Sequence, residues 1–247
     1  MKNLTFGIIT TMAFGQTGYD IAKWVDEKPT PIDMSNTTKM VLTNSKGKSR
    51  TNIMVSRSTD GNKKQIIWFK EPKDDKGVAF LKIEHDDKDD EMRMWLPAFK
   101  KVRRISSKKK GDAFMGSDLS YEDLSNRELD EHEYNRLDDE SVNGIDCYVL
   151  EIIPKKEVKS SYSKHVSWIA KDGYYGVREH SFDKRGELKK EKEFSYKRMK
   201  DYYVIERVFV KDVQKAHSTE VTFSNVEVDS GIKDDLFHEK NLKRLPR

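Results

Sequence analysis

Residues 95–124 read WLPAFKKVRRISSKKKGDAFMGSDLSYEDL, with aromatics, seven basic residues and a Gly-Asp/Gly-Ser-Asp turn segment in 30 positions. The stretch separates two series of segments that alternate apolar and polar residues with period two, so it decides how those series are joined. Trp95 and Leu96 end one strand, and Lys100 to Ile105 forms the next, more exposed one. Ser120-Tyr-Glu-Asp123 has the form of a capping box, in which side chain and backbone satisfy each other's orphan groups, and predicts a short helix. Nothing in the stretch has catalytic spacing. It is expected to frame a site where wall, rim and lid meet.

On its N-terminal side, Thr17-Gly-Tyr-Asp20 is a second capping-box form, and Ile21, Trp24 and Val25 follow at helical spacing until Pro29 and Pro31 end the pattern. From Asn36 the period becomes two. Thr38, Met40 and Leu42 alternate with polar partners, residues 44–47 turn, and Thr51, Ile53 and Val55 resume the alternation. Residues 65–70, 78–83 and 92–96 are apolar on both faces, so both faces must be covered. On the C-terminal side, Asn143-Gly144 predicts a tight hairpin between residues 133–142 and 145–153. Strands follow over 165–170, 174–182, 187–196, 202–213 and 219–228. Within the last pair, Tyr202, Val204, Val208 and Val210 share a face, as do Val221 and Phe223. The highly charged segment 187–196 suits an exposed or edge position. Ile232, Leu236 and Phe237 suggest a closing helix.

About a dozen strands in meander order give a mainly β fold: one large antiparallel sheet that must curl. A few short helices cannot cover such a sheet. The architecture that fits is a strongly curved, open half-barrel with a partial helical lid.

The 247 residues are 36% charged and 35% apolar, and the apolar ones arrive in ordered blocks, which argues against a disordered chain. Basic and acidic residues number 47 and 43, a net charge of +4 that gives no reason to expect nucleic acid as a partner. Residues 1–15 read as a secretory signal: Lys2, an apolar run from Leu4 to Phe14, and small residues before a cleavage point near Gly15. Residues 16–247 are then expected as a single periplasmic unit, soluble and monomeric. The lone Cys147 can form no intramolecular disulfide, and no cysteine stands at the cleavage point to take a lipid anchor.

Motifs for chemistry fail one by one. Gly47-Lys48-Ser49 lacks the glycine that opens a phosphate loop, and Gly111 to Gly116 is followed by Ser117 where that loop needs lysine. No GxSxG or HExxH occurs, and the acidic run 86–91 lacks the glycine of a calcium loop. No catalytic residue, cofactor or metal site is assigned, and the chain is read as a non-enzyme.

Two positive signals remain. Met40, Leu42, Ile53, Val55, Trp68, Phe80, Met92, Met94, Leu96 and Phe99 are surplus apolar surface on neighbouring strands, and methionine and aromatics suit a cavity for acyl chains because they repack. Lys100, Lys101, Arg103 and Arg104 form a basic cluster fitted to lipid headgroups or an acidic partner in transient contact with a membrane.

The run Leu96-Pro97-Ala98-Phe99-Lys100-Lys101-Val102-Arg103-Arg104-Ile105, then Phe114-Met115-Gly116-Ser117-Asp118 and Ser120-Tyr121-Glu122-Asp123-Leu124, resembles the outer-membrane lipoprotein-sorting-like proteins, relatives of the periplasmic carrier LolA. The resemblance extends to Asp146-Cys147-Tyr148 and the Leu236-Phe237 end. It implies a half-barrel with a helical lid whose hydrophobic interior shelters lipid or acylated protein cargo. It also implies association with an inner-membrane exporter of the resistance-nodulation-division type. A lipid-sensing regulator of the envelope-stress type and a cargo-free exporter subunit are the alternative readings.

Overall fold

A computed structural model describes residues 16–246. The expected signal segment, residues 1–15, lies outside the described residues. Thr17 caps helix α1 (Gly18–Glu27) with the full reciprocal box, Asp20 N–H donating to Thr17 Oγ1 at 3.1 Å and Thr17 N–H to Asp20 Oδ2 at 2.9 Å. Then come β1 (Asp33–Thr43), β2 (Ser49–Thr59), β3 (Lys64–Glu71), β4 (Ala79–Ile83), β5 (Glu91–Leu96) and β6 (Lys101–Ile105). The second series is β7 (His132–Val142), β8 (Ile145–Pro154), β9 (Lys164–Ala170), β10 (Gly176–Phe182), β11 (Leu188–Met199), β12 (Tyr202–Asp212) and β13 (His217–Val228).

All 13 strands form one antiparallel sheet in the order β6-β5-β4-β3-β2-β1-β13-β12-β11-β10-β9-β8-β7, which does not close into a barrel. Each series is a meander, and among the described residues the only non-sequential pairing joins β1 to β13. Bulges between β1 and β13, β2 and β3, β7 and β8, β9 and β10, β10 and β11, and β11 and β12 increase the local twist and curl the sheet. Asn143 and Gly144 both have positive φ, 52° and 82°, as the tight β7–β8 turn requires.

The order has a topological consequence. β6 and β7 are opposite edges of the sheet, so the connection between them, residues 106–131, has to span it, and Phe114, Leu119 and Leu124 place it over the concave face. That crossing segment roofs the hollow. Ser120 and Asp123 make the expected capping box (Asp123 N–H to Ser120 Oγ 3.2 Å, Ser120 N–H to Asp123 Oδ2 2.8 Å), yet the box opens only a 3₁₀ turn, Glu122–Leu124. The closing helix is likewise a pair of 3₁₀ turns, Asp234–Leu236 and Glu239–Lys243. The lid, expected as a few short helices, consists of short 3₁₀ turns joined by irregular chain, and α1 is the one α-helix among the described residues.

β3 and β4 are buried on both faces, as their composition demands. Ile67, Phe69 and Phe80 face the hollow, while Ile66, Trp68, Ala79 and Leu81 face outward and pack under Phe237 and Leu242. Trp68 Nε1 donates to the Asn241 carbonyl at 3.2 Å.

The expectation for the charged segment 187–196 is overturned. β11 lies inside the sheet between β10 and β12, and Lys190 and Lys192 are about 4% exposed. The cause is long-range: their ammonium groups meet carboxylates brought from β10 and from the crossing segment.

Candidate functional site

A cavity of about 860 Å³ lies on the concave face, within the range that holds small ligands. Its greasy wall comes from both ends of the chain: Met40 of β1, Met54 of β2, Ile67 of β3, Val208 of β12, and Val221 and Phe223 of β13. The β1–β13 pairing places them together, since Met40 is opposite Val221 and Thr38 opposite Phe223. Phe114, Leu119 and Leu124 of the crossing segment form the roof. Ala22 and Val25 of α1 close one side, where α1 packs on Leu150, Ile152 and Ile169 of β8 and β9.

Part of the remaining lining is a closely paired charged network. Asp123 of the crossing segment accepts from Lys190 Nζ at 2.7 Å and Lys192 Nζ at 2.6 Å. Lys192 also reaches Glu179 at 2.9 Å, and Arg127 grips Glu179 with two hydrogen bonds of 2.6 and 2.9 Å. The Tyr162 hydroxyl donates to Asp123 at 2.9 Å, and His165 Nδ1 lies 2.9 Å from Ser181 Oγ. Burial opposes the charge on Asp123, but Lys192 and Lys190 outweigh it and hold the carboxyl well below the usual range. Burial acts likewise on Glu179, where Arg127 and Lys192 prevail. Burial also works against Lys192, yet Asp123 and Glu179 on either side raise its pKa. Lys190 has one carboxylate partner and Lys192 as a neighbour, so burial wins and its pKa falls. Burial, aided by Arg127, pushes His165 well below its ordinary value.

These directions set a pH window. Asp123 and Glu179 have folded pKa values below the unfolded ones, so their stabilisation is full above about pH 5 and is lost as pH falls through about 4 and below. His165, held neutral in the fold, adds a loss that starts near pH 6.5. Urea unfolding midpoints are expected to hold near neutrality and drop steadily from about pH 6 to pH 3. A flat profile across that range contradicts the network.

Three polar anchors pin the roof to distant strands. Besides Asp123 on β11, Asp118 Oδ2 accepts from Thr219 Oγ1 and lies against His217 Nδ1, both at 2.7 Å on β13. Fully buried Lys82 of β4 donates to the Leu124 carbonyl at 2.8 Å and to Glu84 at 2.7 Å.

Of the residues singled out from the sequence, Met40 lines the cavity. Leu42, Phe80, Met92 and Met94 continue the same buried layer beneath Phe114 and Tyr121, with half-buried Leu96 against them. Ile53, Val55 and Trp68 face the other way. The pairing of Thr43 with Ser49 puts Asn52 opposite Met40 and Met54 opposite Thr38, so Met54 takes the place expected for Ile53 and Val55. Phe99 is 71% exposed and lies outside the cavity. Lys101, Arg103 and Arg104 sit on edge strand β6, with Lys100 just before it. No local pattern connects Val208, Val221 and Phe223 to the first series, although the period of two puts Val221 and Phe223 on one face. Among the described residues no cluster of His, Cys, Asp and Glu is placed to hold a metal ion. No described helix is long and apolar enough to cross a membrane.

A family model whose description reads only "Uncharacterized protein" matches residues 61–244. The solved structure of an outer membrane lipoprotein-sorting protein domain from Vibrio parahaemolyticus is similar at 34% identity and a TM-score of 0.87, covering 92% of this chain and 98% of that one. A DUF1329 family protein from Desulfovibrio piger is similar at 33% identity and a TM-score of 0.86, covering 91% and 97%. A LolA superfamily protein from Nitrosomonas europaea shares the fold at 16% identity, with a TM-score of 0.72 and coverage of 91% and 99%. Among curated proteins none matches. The half-barrel, its crossing roof and these two close relatives make this chain a member of the outer-membrane lipoprotein-sorting-like family, with a LolA-like fold.

Proposed function

We propose that this protein is a non-enzymatic periplasmic carrier that shelters an acyl chain of a lipid or acylated protein between its curved sheet and the crossing segment. One observation carries the reading: an amphipathic cavity of about 860 Å³ whose wall includes the apolar cluster of Met54, Met40, Val221 and Val208, under an apolar roof. Each methylene moved from water into such a site gains about 0.8 kcal/mol, so a long chain would be held firmly without covalent chemistry. The LolA-like fold and the description of the Vibrio relative support the class of cargo. Residues 1–15 would direct export and be removed near Gly15, and residues 16–247 would work as one soluble monomer. Cargo release calls for a partner that loosens the roof, and an inner-membrane exporter of the resistance-nodulation-division type is the partner the family resemblance implies.

Native mass spectrometry of the protein purified from the periplasm is expected to show a bound acyl lipid, displaced by fluorescent fatty acid. A clean apo mass with no fatty-acid uptake would overturn the reading.

A further inference from the structure

The β5–β6 hairpin carries a feature that the cavity does not use. At its tip, the short turn Pro97–Phe99 ends on Lys100 in the left-handed conformation (φ 49°), and Phe99 projects with 71% of its surface exposed. Lys100, Lys101, Arg103, Arg104, Lys108 and Lys109 follow, all exposed. None of these six makes an ion pair among the described residues, whereas the next lysine, Lys110, is neutralised by Asp90 at 2.8 Å. The alternation of the strand spreads the charges over both of its faces. Lys101 and Arg103 lie opposite Leu96 and Met94 on the concave side, and Arg104 lies opposite Arg93 on the other. Because β6 is the sheet's last strand, the charges surround a free edge.

Protection against edge pairing would account for some charge on β6, but not for an aromatic ring held out in water at the same tip. The geometry points to this hairpin tip and edge as a docking surface for an anionic lipid bilayer, with Phe99 entering the headgroup region and the six cations lying over the phosphates. The composition selects a bilayer over a protein. Protein interfaces are depleted in lysine and need a contiguous desolvated patch around their aromatic anchors. Here four of the six free cations are lysines, and the only large exposed apolar side chain in residues 97–109 is Phe99. Flexible basic side chains around one aromatic match an interfacial contact, with the ring at the boundary and the ammonium groups reaching the headgroups. The surface is separate from the cavity lining, so a carrier could stand on a membrane with its cargo still enclosed.

The test is co-sedimentation of the purified protein with vesicles of phosphatidylcholine alone and of phosphatidylcholine containing phosphatidylglycerol. Binding is expected only to the anionic vesicles, weakening as salt shortens the screening length to about 8 Å and below. The variant K100E/K101E/R103E/R104E is expected to lose about a hundredfold in affinity or more, since each basic residue near an anionic surface is worth about fivefold. Phe99→Ser, which leaves the charge unchanged, is expected to lose about tenfold. Both variants should keep wild-type thermal unfolding and fatty-acid uptake, because the substituted side chains are exposed and outside the cavity. Equal binding to neutral and anionic vesicles, or wild-type affinity in either variant, would overturn the proposal. So would retention on immobilised polyglutamate without vesicle binding, which would assign the edge to an acidic protein.

Discussion

Lys192→Ala is expected to destabilise the protein by about 3–5 kcal/mol, the cost of removing one partner from a buried charge pair. Lys192 bridges Asp123 on the crossing segment and Glu179 on β10, at 2.6 and 2.9 Å. Without it Glu179 keeps Arg127 and Asp123 keeps Lys190, but each buried carboxylate loses a charged donor. Asp123→Asn should also destabilise, by leaving Lys190 and Lys192 facing a neutral amide. In the double variant the two losses should fall short of adding by about 0.5–3 kcal/mol, because the residues share one network. Urea denaturation of the four proteins at neutral pH measures this. A Lys192→Ala loss under about 1 kcal/mol would mean that the network holds little of the fold together.

Phe114→Ala is expected to cost about 3–5 kcal/mol, as for other buried aromatics cut back to alanine. Phe114 is 2% exposed and is the apolar rivet of the roof. Its ring lies 6.0 Å from Phe69 and 5.3 Å from Phe80 on the sheet, and 5.8 Å from Tyr121 within the crossing segment. The neighbours can collapse only partly, since Phe69 and Phe80 are held in strands and Asp118 and Asp123 keep their polar anchors. The damage should also be local. Hydrogen exchange should speed up in residues 112–125 while the amides of β1 to β3 keep their protection, and fatty-acid exchange should become faster as the roof loosens. Uniform loss of protection across the sheet would show that Phe114 is ordinary core and not a fastening of the roof.

Much of the fold is legible in the order of residues because its signals are local. The period of two marks strands, Asn143-Gly144 marks a tight hairpin, and Thr17 with Asp20 marks the start of α1. Strands apolar on both faces, such as β3 and β4, announce that something covers them. The family motif around residues 96–124 falls on the β5–β6 hairpin and on the segment that becomes the roof. The curved, open sheet and its greasy hollow are thus implied by local patterns alone.

Membership of the cavity is a different kind of fact. Ile53 and Met54 are adjacent, and which of them faces the hollow depends on one register, Thr43 opposite Ser49. Met40 and Val221 are far apart in the chain and become neighbours only when β1 closes onto β13. Lys190 and Lys192 read as a solvated edge because their partners, Asp123 and Glu179, lie on other elements. Burying those lysines is tolerable only once such carboxylates arrive. Residues 106–131 become a roof because the strands they connect end up at opposite edges of the sheet. Composition and spacing thus set what the elements are and that the sheet should leave an apolar hollow. Strand register and pairing between separate elements decide which side chains line it and what holds it shut, because no pattern within one element encodes its contacts with another.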